Sequence, residues 1–157
     1  MSEPEFFATP GYGDRQLTTM HYNQAVRIGD RVEISGQGGW DDDFRFPESL
    51  EDEIVRAFDN VERTLATAGA TWRDVVAVDS YHIPDSPDFI GEVHNRVMVE
   101  QFRKRMGDRA PHLDGDRRRR TRRPEDARRD PRHRRGRKRR LSELIAGEAG
   151  LPYRTRA

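Results

Sequence analysis

Between His112 and Arg140 the chain holds one large aliphatic residue, Leu113, and no aromatic. Such a stretch cannot bury a core. Ordering a residue costs about 1–2 kcal/mol of backbone entropy, and only buried apolar surface offsets that cost. A folded domain must therefore draw its core from the residues up to Pro111. Charge divides at the same place. Residues 1–111 carry 12 Lys+Arg against 21 Asp+Glu, a net of −9, while residues 112–157 carry 17 against 7, a net of +10. The overall +1 hides an acidic body and a basic tail.

The 157 residues fit one domain with a tail. Apolar content of 33% against 36% charged is lean for a globular chain, which again confines the core to the body. There is no cysteine, so disulfides and cysteine-ligated zinc are excluded. No apolar run approaches the roughly 18 residues of a membrane helix. Met1 to Thr9 lacks the basic and apolar pattern of a secretion signal, so a cytoplasmic location is expected.

The body reads as alternating strands and helices. Val26 and Ile28, then Val32 and Ile34, alternate with polar residues as half-buried strands do. Gly29-Asp30 between them is a two-residue turn, which predicts a hairpin. Ser35-Gly36-Gln37-Gly38-Gly39 ends the second strand with backbone freedom. Ser49 is a good N-cap, followed by Glu51, Asp52 and Glu53 in the first turn. Leu50, Ile54, Ala57, Phe58, Val61, Leu65 and Ala68 recur at helical spacing, and Gly69 stops the helix. Val75 to Ile83 is rich in β-branched residues and predicts a strand. A second helix is expected from near Asp88, with Phe89, Val93, Val97, Met98, Phe102 and Met106 on one face and Gly107 at its end. The order β-β-α-β-α is incomplete, because two long helices on one face need more than three strands to cover them. A further strand or hairpin should follow Pro111, yet the sequence supplies an Arg-rich stretch. Leu141 to Ala149 reads at most as a short helix, marginal in water.

Tyr22-Asn23-Gln24-Ala25-Val26, Ile34-Ser35-Gly36-Gln37, Asn95 with Val97 and Phe102, and Arg109-Ala110-Pro111 occur in order at separations that resemble the RidA (YjgF-like) family of reactive-intermediate deaminases. The resemblance covers residues 17–111. It leaves 1–16 as an N-terminal arm and 112–157 as a basic, disordered tail. It implies an α+β, chorismate-mutase-like domain whose C-terminal strands the tail replaces. It also implies a homotrimer with ligand clefts between subunits and no metal or organic cofactor. Best-known members hydrolyse 2-imino acids and their enamine tautomers to 2-keto acids and ammonia, and some relatives have been described as endoribonucleases. By residue-wise correspondence Ser35 and Gly36 would contact substrate, while Tyr22 and Asn95 would shape the cleft. The arginine with which deaminase members grip the substrate carboxylate falls on Leu113, so no catalytic residue is assigned. The family's later glutamate has no counterpart in the tail.

The tail has the composition that GC-rich coding DNA gives when read out of frame. His112 to Arg134 can be back-translated so that removing one base yields TWTAIGVGALADPKMRVEIRVT. That peptide has two alternating apolar runs around an Asp-Pro turn, as a β-hairpin should. A surplus base near codon 112 is therefore expected, and the recovered frame puts tryptophan at the gripping position.

Three functions compete. The first is a hydrolase of enamine and imine intermediates. The second is a non-catalytic ligand-binding trimer, favoured by Leu113. The third is nucleic-acid binding through the Arg-rich tail alone, an electrostatic and salt-sensitive contact with no aromatic interleaving before Tyr153. Asp41-Asp42-Asp43 lacks the spacing of a calcium loop and reads as a solvated acidic loop. His21, His82 and His94 show no zinc spacing, although His82, at the end of a strand, could serve as a general acid or base.

Overall fold

A computed structural model of the chain describes residues 2–82, 91–117 and 144–150. In chain order the elements are β1 (Glu5–Phe7), α1 (Tyr12–Met20), β2 (Ala25–Ile28), β3 (Arg31–Ile34) and α2 (Leu50–Thr67). They continue with β4 (Val75–His82), α3 (Glu92–Met106), β5 (His112–Arg117) and β6 (Leu144–Gly150). The described strands form one sheet in the order β1-β2-β3-β6-β4-β5. All pairings are antiparallel except β4 with β5. The architecture is α+β, as expected.

The hairpin forms where Gly29-Asp30 places it. Ile28 pairs with Arg31 and Gly29 takes φ 60°, a left-handed conformation that a side chain would resist. This register sets the faces. Ala25 and Arg27 stand opposite Ile34 and Val32 on the helix side, where Ala25, Val32 and Ile34 are buried. Val26 and Ile28 alternate onto the other face with Phe6, which pairs with Val26. The apolar sets of the two strands therefore serve opposite faces.

α2 follows its sequence signals closely. Ser49 caps it, its Oγ accepting the Asp52 N–H at 3.0 Å. Ile54, Ala57, Phe58, Val61, Leu65 and Ala68 are all buried. Phe58 stacks on Trp72 at 5.3 Å and meets the edge of Phe102 at 4.9 Å, which joins α2, the link to β4, and α3. Arg105, in the last turn of α3, reaches across to Asp59 of α2 and lies over the Phe58 ring at 5.4 Å. Val97, Met98 and Met106 are buried as expected, but Val93 is 47% exposed. The expected ends of β4 and α3 at Ile83 and Asp88–Phe89 lie outside the described residues.

The structure differs from the sequence reading at both ends. Residues assigned to an N-terminal arm supply β1 and the start of α1. Past Pro111, where the fold required a strand but the tail was expected to replace it, β5 runs parallel to β4 from Ala77↔His112 to His82↔Arg117. Leu141 to Ala149 read at most as a marginal short helix, but Leu144–Gly150 is a strand between β3 and β4. Two open strand edges offer main-chain hydrogen bonds on both sides, which a two-turn helix in water cannot match. These strands complete the sheet that the two helices require. The expected disorder of 118–143 and 151–157 lies outside the described residues.

Candidate functional site

The last residues of β3 run into a glycine segment pressed against α2. A Cβ on Gly39 would lie 2.1 Å from the Glu53 carbonyl oxygen, so close backbone approach demands glycine there. Asn60 of α2 holds the segment, donating through Nδ2 to the carbonyls of Gly38 and Trp40, both at 2.8 Å.

Beneath this segment lies a buried polar chain. Thr9, Tyr12, Gln24, Gln37, Asn60 and Thr64 are each 2% exposed or less. Thr9 Oγ1 and Thr64 Oγ1 are 2.9 Å apart, and Thr64 Oγ1 is 3.2 Å from the Tyr12 hydroxyl. Tyr12 donates to Gln37 Oε1 at 2.8 Å. Gln37 Nε2 donates its two hydrogens to Gln24 Oε1 at 2.8 Å and the Ser35 carbonyl at 2.9 Å, and lies 3.1 Å from Ser35 Oγ. Ser35 Oγ in turn donates to Gln24 Oε1 at 3.1 Å, and the Ser35 N–H donates to the Gln24 carbonyl at 2.8 Å. Gln24 Nε2 reaches Gln16 on α1. Burial pushes the Tyr12 hydroxyl above its ordinary pKa, with the Thr64 contact opposing the shift only in part.

The residues named from the resemblance fall as follows. Ser35 and Gly36 are half-buried at the end of β3, with Ser35 tied into the network. Tyr22 precedes β2 by a short link and is 38% exposed. It stands two residues before Gln24, so chain continuity fixes it near the same cluster. Asn95 lies in the first turn of α3, exposed, on a different element. Leu113, at the gripping-arginine position, is 49% exposed. It lines a cavity of about 640 Å³ with Val99, Phe102, Arg103 and Arg109. The Arg109 guanidinium is spent on the carbonyls of Arg73 and Val75, so it does not replace the missing grip.

Other candidates have structural occupations. Asp41 Oδ1 accepts the N–H groups of Asp43 and Arg45, both at 2.9 Å, and these bonds, the Arg45 one foremost, hold its carboxyl below the usual range. Asp42 pairs with Arg63 at 2.9 Å and Asp43 with Arg15 at 3.1 Å. His82 is buried, its Nε2 2.9 Å from Ser80 Oγ and its ring edge-on to His94 at 4.4 Å. His82 thus packs inside the domain rather than at an open strand end. Among the described residues no group of three or more His, Asp or Glu is placed to hold a metal ion.

Sequence reasoning missed Tyr12, Thr64 and the roles of Gln24 and Gln37. The available signal was their position. Thr64 sits on the buried stripe of α2, and both glutamines lie inside the two segments that carried the resemblance.

Residues 13–112 match the family model of endoribonuclease L-PSP. The RutC family protein YjgH of Escherichia coli strain K12 is 37% identical over 78 residues, 49% of this chain and 60% of that protein. The match thus spans less than two thirds of that relative's length. The solved structure of YJGH superposes with a TM-score of 0.67 at 23% identity, covering 95% of this chain and 96% of that one. A protein of the endoribonuclease L-PSP kind from Entamoeba histolytica gives 0.63 at 21% identity, over 95% and 100% of the two chains. Escherichia coli TdcF, solved with bound serine, gives 0.61 at 20% identity, over 83% and 88%. These structural likenesses speak for the fold, and the family match for descent. The chain belongs to the endoribonuclease L-PSP family, the RidA (YjgF) family.

Proposed function

We propose that the chain hydrolyses small reactive enamine or imine intermediates to keto products and ammonia, as a cytoplasmic homotrimer. The observation that carries this reading is the Ser35-Gly36 strand end, a polar, partly open site braced from below by buried Gln24 and Gln37. Tyr22 lies close by along the chain, and Asn95 is the further residue proposed to shape the cleft. Water adds to the imine carbon, the resulting carbinolamine expels ammonia, and the carbonyl forms. No redox change and no cofactor are needed. Serine bound in TdcF supports a ligand of this size and charge for the fold. Phe6, 63% exposed, and Ile28, 47% exposed, share the helix-free face of the sheet with Val26, which supports association through that face.

Leu113 favours a second reading. A leucine cannot form the two-pronged, charge-assisted contact that an arginine gives a carboxylate. A ligand-binding trimer without catalysis follows if that contact is indispensable. Incubation with a dehydratase-generated 2-imino acid, timing ammonia release, decides between the two. Release faster than in buffer supports the hydrolase; release at the buffer rate with saturable ligand binding supports the second reading. Among the described residues no helix is long and apolar enough to cross a membrane.

A further inference from the structure

β5 lies outermost in the described sheet beside β4, and Leu113 pairs there with Val78. Val78 is buried on the helix side, so Leu113 stands on that side too. Val99, Phe102 and Arg103 follow the i, i+3, i+4 spacing that puts them on one face of α3. They line the cavity of about 640 Å³ together with Leu113 and Pro111. That volume is within the roughly 300–1,000 Å³ of small-molecule sites. The charged groups in its wall are Arg103, Arg109 and Asp108. Arg109 donates to carbonyls, which leave its charge uncancelled. Arg103 has no ion-pair partner among the described residues, whereas Arg105, two residues on, is paired with Asp59 and Glu62. Two guanidinium groups against one carboxylate make this mouth positive in a body whose net charge is −9. A basic residue in the last turn complements the helix dipole, but Lys104 and Arg105 already serve there.

We propose that the α3–β5 cavity binds a small organic anion with an apolar, ring-sized body. The body lies against Val99, Phe102, Pro111 and Leu113, and the charge meets Arg103. This site is separate from the Ser35 strand end and does not depend on the reading given to it. β3 and β5 are three strand steps apart in the sheet, about 14 Å at the usual spacing. Val99 and Leu113 are 45% and 49% exposed, and a seated ring takes their apolar surface out of water. The Phe102 ring adds an aromatic contact. A short carboxylate without such a body gains only the ion contact, which water at the open mouth weakens. The cavity therefore selects for the body as much as for the charge.

Three probes separate body from charge: 4-phenylbutanoate, its neutral amide 4-phenylbutanamide, and butanoate. Each is titrated into the full chain by calorimetry, and amide chemical shifts locate the binding. The acid should bind about five- to tenfold more tightly than the amide, as a charge-assisted contact at a partly open site provides. Butanoate, which loses the ring, should bind at least about tenfold more weakly than the acid. Arg103→Gln should bring the acid down to the amide and leave the amide unchanged. Leu113→Asn, at a half-exposed position, should weaken acid and amide alike. Equal wild-type affinities for acid and amide, or an Arg103→Gln variant that weakens both, would overturn the proposal. So would an absence of saturable binding, or shifts centred away from the last turn of α3 and β5. A Leu113→Asn variant that sediments as a smaller species would show a second copy covering the cavity, which overturns it as well. Ammonia release tests the Ser35 reading independently of all these outcomes.

Discussion

Tyr12→Phe removes one oxygen from the middle of the buried polar chain. The hydroxyl donates to Gln37 Oε1 at 2.8 Å and lies 3.2 Å from Thr64 Oγ1, in a side chain with no exposed surface. A typical buried hydrogen bond contributes about 1 kcal/mol net, but deleting one partner leaves the other desolvated, which raises the cost to about 1–3 kcal/mol. Gln37 Oε1 would be left in that position, so a loss near 2 kcal/mol is expected. For a folded body of this size that lowers Tm by roughly 5–10 °C. The same substitution has a pH signature. Burial holds the Tyr12 pKa above its ordinary 10.0, while the unfolded chain ionises at that value. The stability tied to the neutral phenol is therefore complete below pH 10 and declines as pH rises toward the folded-state value, by up to about 1.4 kcal/mol per pH unit for one group. Urea melts followed by circular dichroism from pH 8 to 11 test both parts. Wild type should show a falling alkaline limb, and the Phe variant should start lower and lose one proton's worth of that slope. A Phe variant that melts within about 0.5 kcal/mol of wild type, with the same alkaline slope, would refute the reasoning, since hydrogen bonds of this kind cost more to break.

Other substitutions probe separate parts of the molecule. Ser49→Ala removes the cap that accepts the Asp52 N–H and should cost about 1 kcal/mol by chemical denaturation, with no change in ligand binding. Phe58→Ala opens the contact with Trp72 and Phe102 and should cost about 3–5 kcal/mol, read as a large drop in the urea midpoint. Leu113→Arg places a guanidinium at the mouth of the α3–β5 cavity and should tighten propanoate binding at least tenfold in calorimetry if that position grips carboxylates. Sequencing the coding DNA across Pro111 to Arg134 should find one surplus base; an unbroken frame would establish the Arg-rich segment as a genuine part of the chain.

Legibility followed the kind of force that shapes each element. α2 could be read almost residue by residue, because a capping serine, an acidic first turn and an apolar stripe all act locally. The β2–β3 hairpin was equally plain from its Gly-Asp turn, yet which face each strand buries depends on register. α1 was illegible because its buried residues are only Tyr12 and Gly13, which make no stripe. β5 and β6 escaped notice because pairing depends on the edges of β3 and β4 and not on their own apolar pattern. Tyr22, Ser35, Gly36 and Asn95 came from resemblance, whereas the glutamines beneath them did not, since no periodicity marks a glutamine destined for burial.

The buried chain explains why the first residues belong to the site. Tyr12 gives its one hydrogen to Gln37, so Thr64 must donate to Tyr12, and Thr9 to Thr64. The donors of Thr9, Thr64, Tyr12 and Gln37 thus run toward the end of β3, while Gln24 Nε2 turns away to Gln16 on α1. This directionality is fixed by one backbone carbonyl and by the number of hydrogens available, not by the chemistry of Ser35 itself. Arg63 secures the start of the chain from α2, donating to the Pro10 carbonyl at 2.8 Å and to Asp42 at 2.9 Å while its guanidinium lies 5.0 Å over the Tyr12 ring. A change near Thr9 or Tyr12 would therefore loosen the outer links of the chain, while the Ser35 carbonyl still holds the Gln37 amide in place.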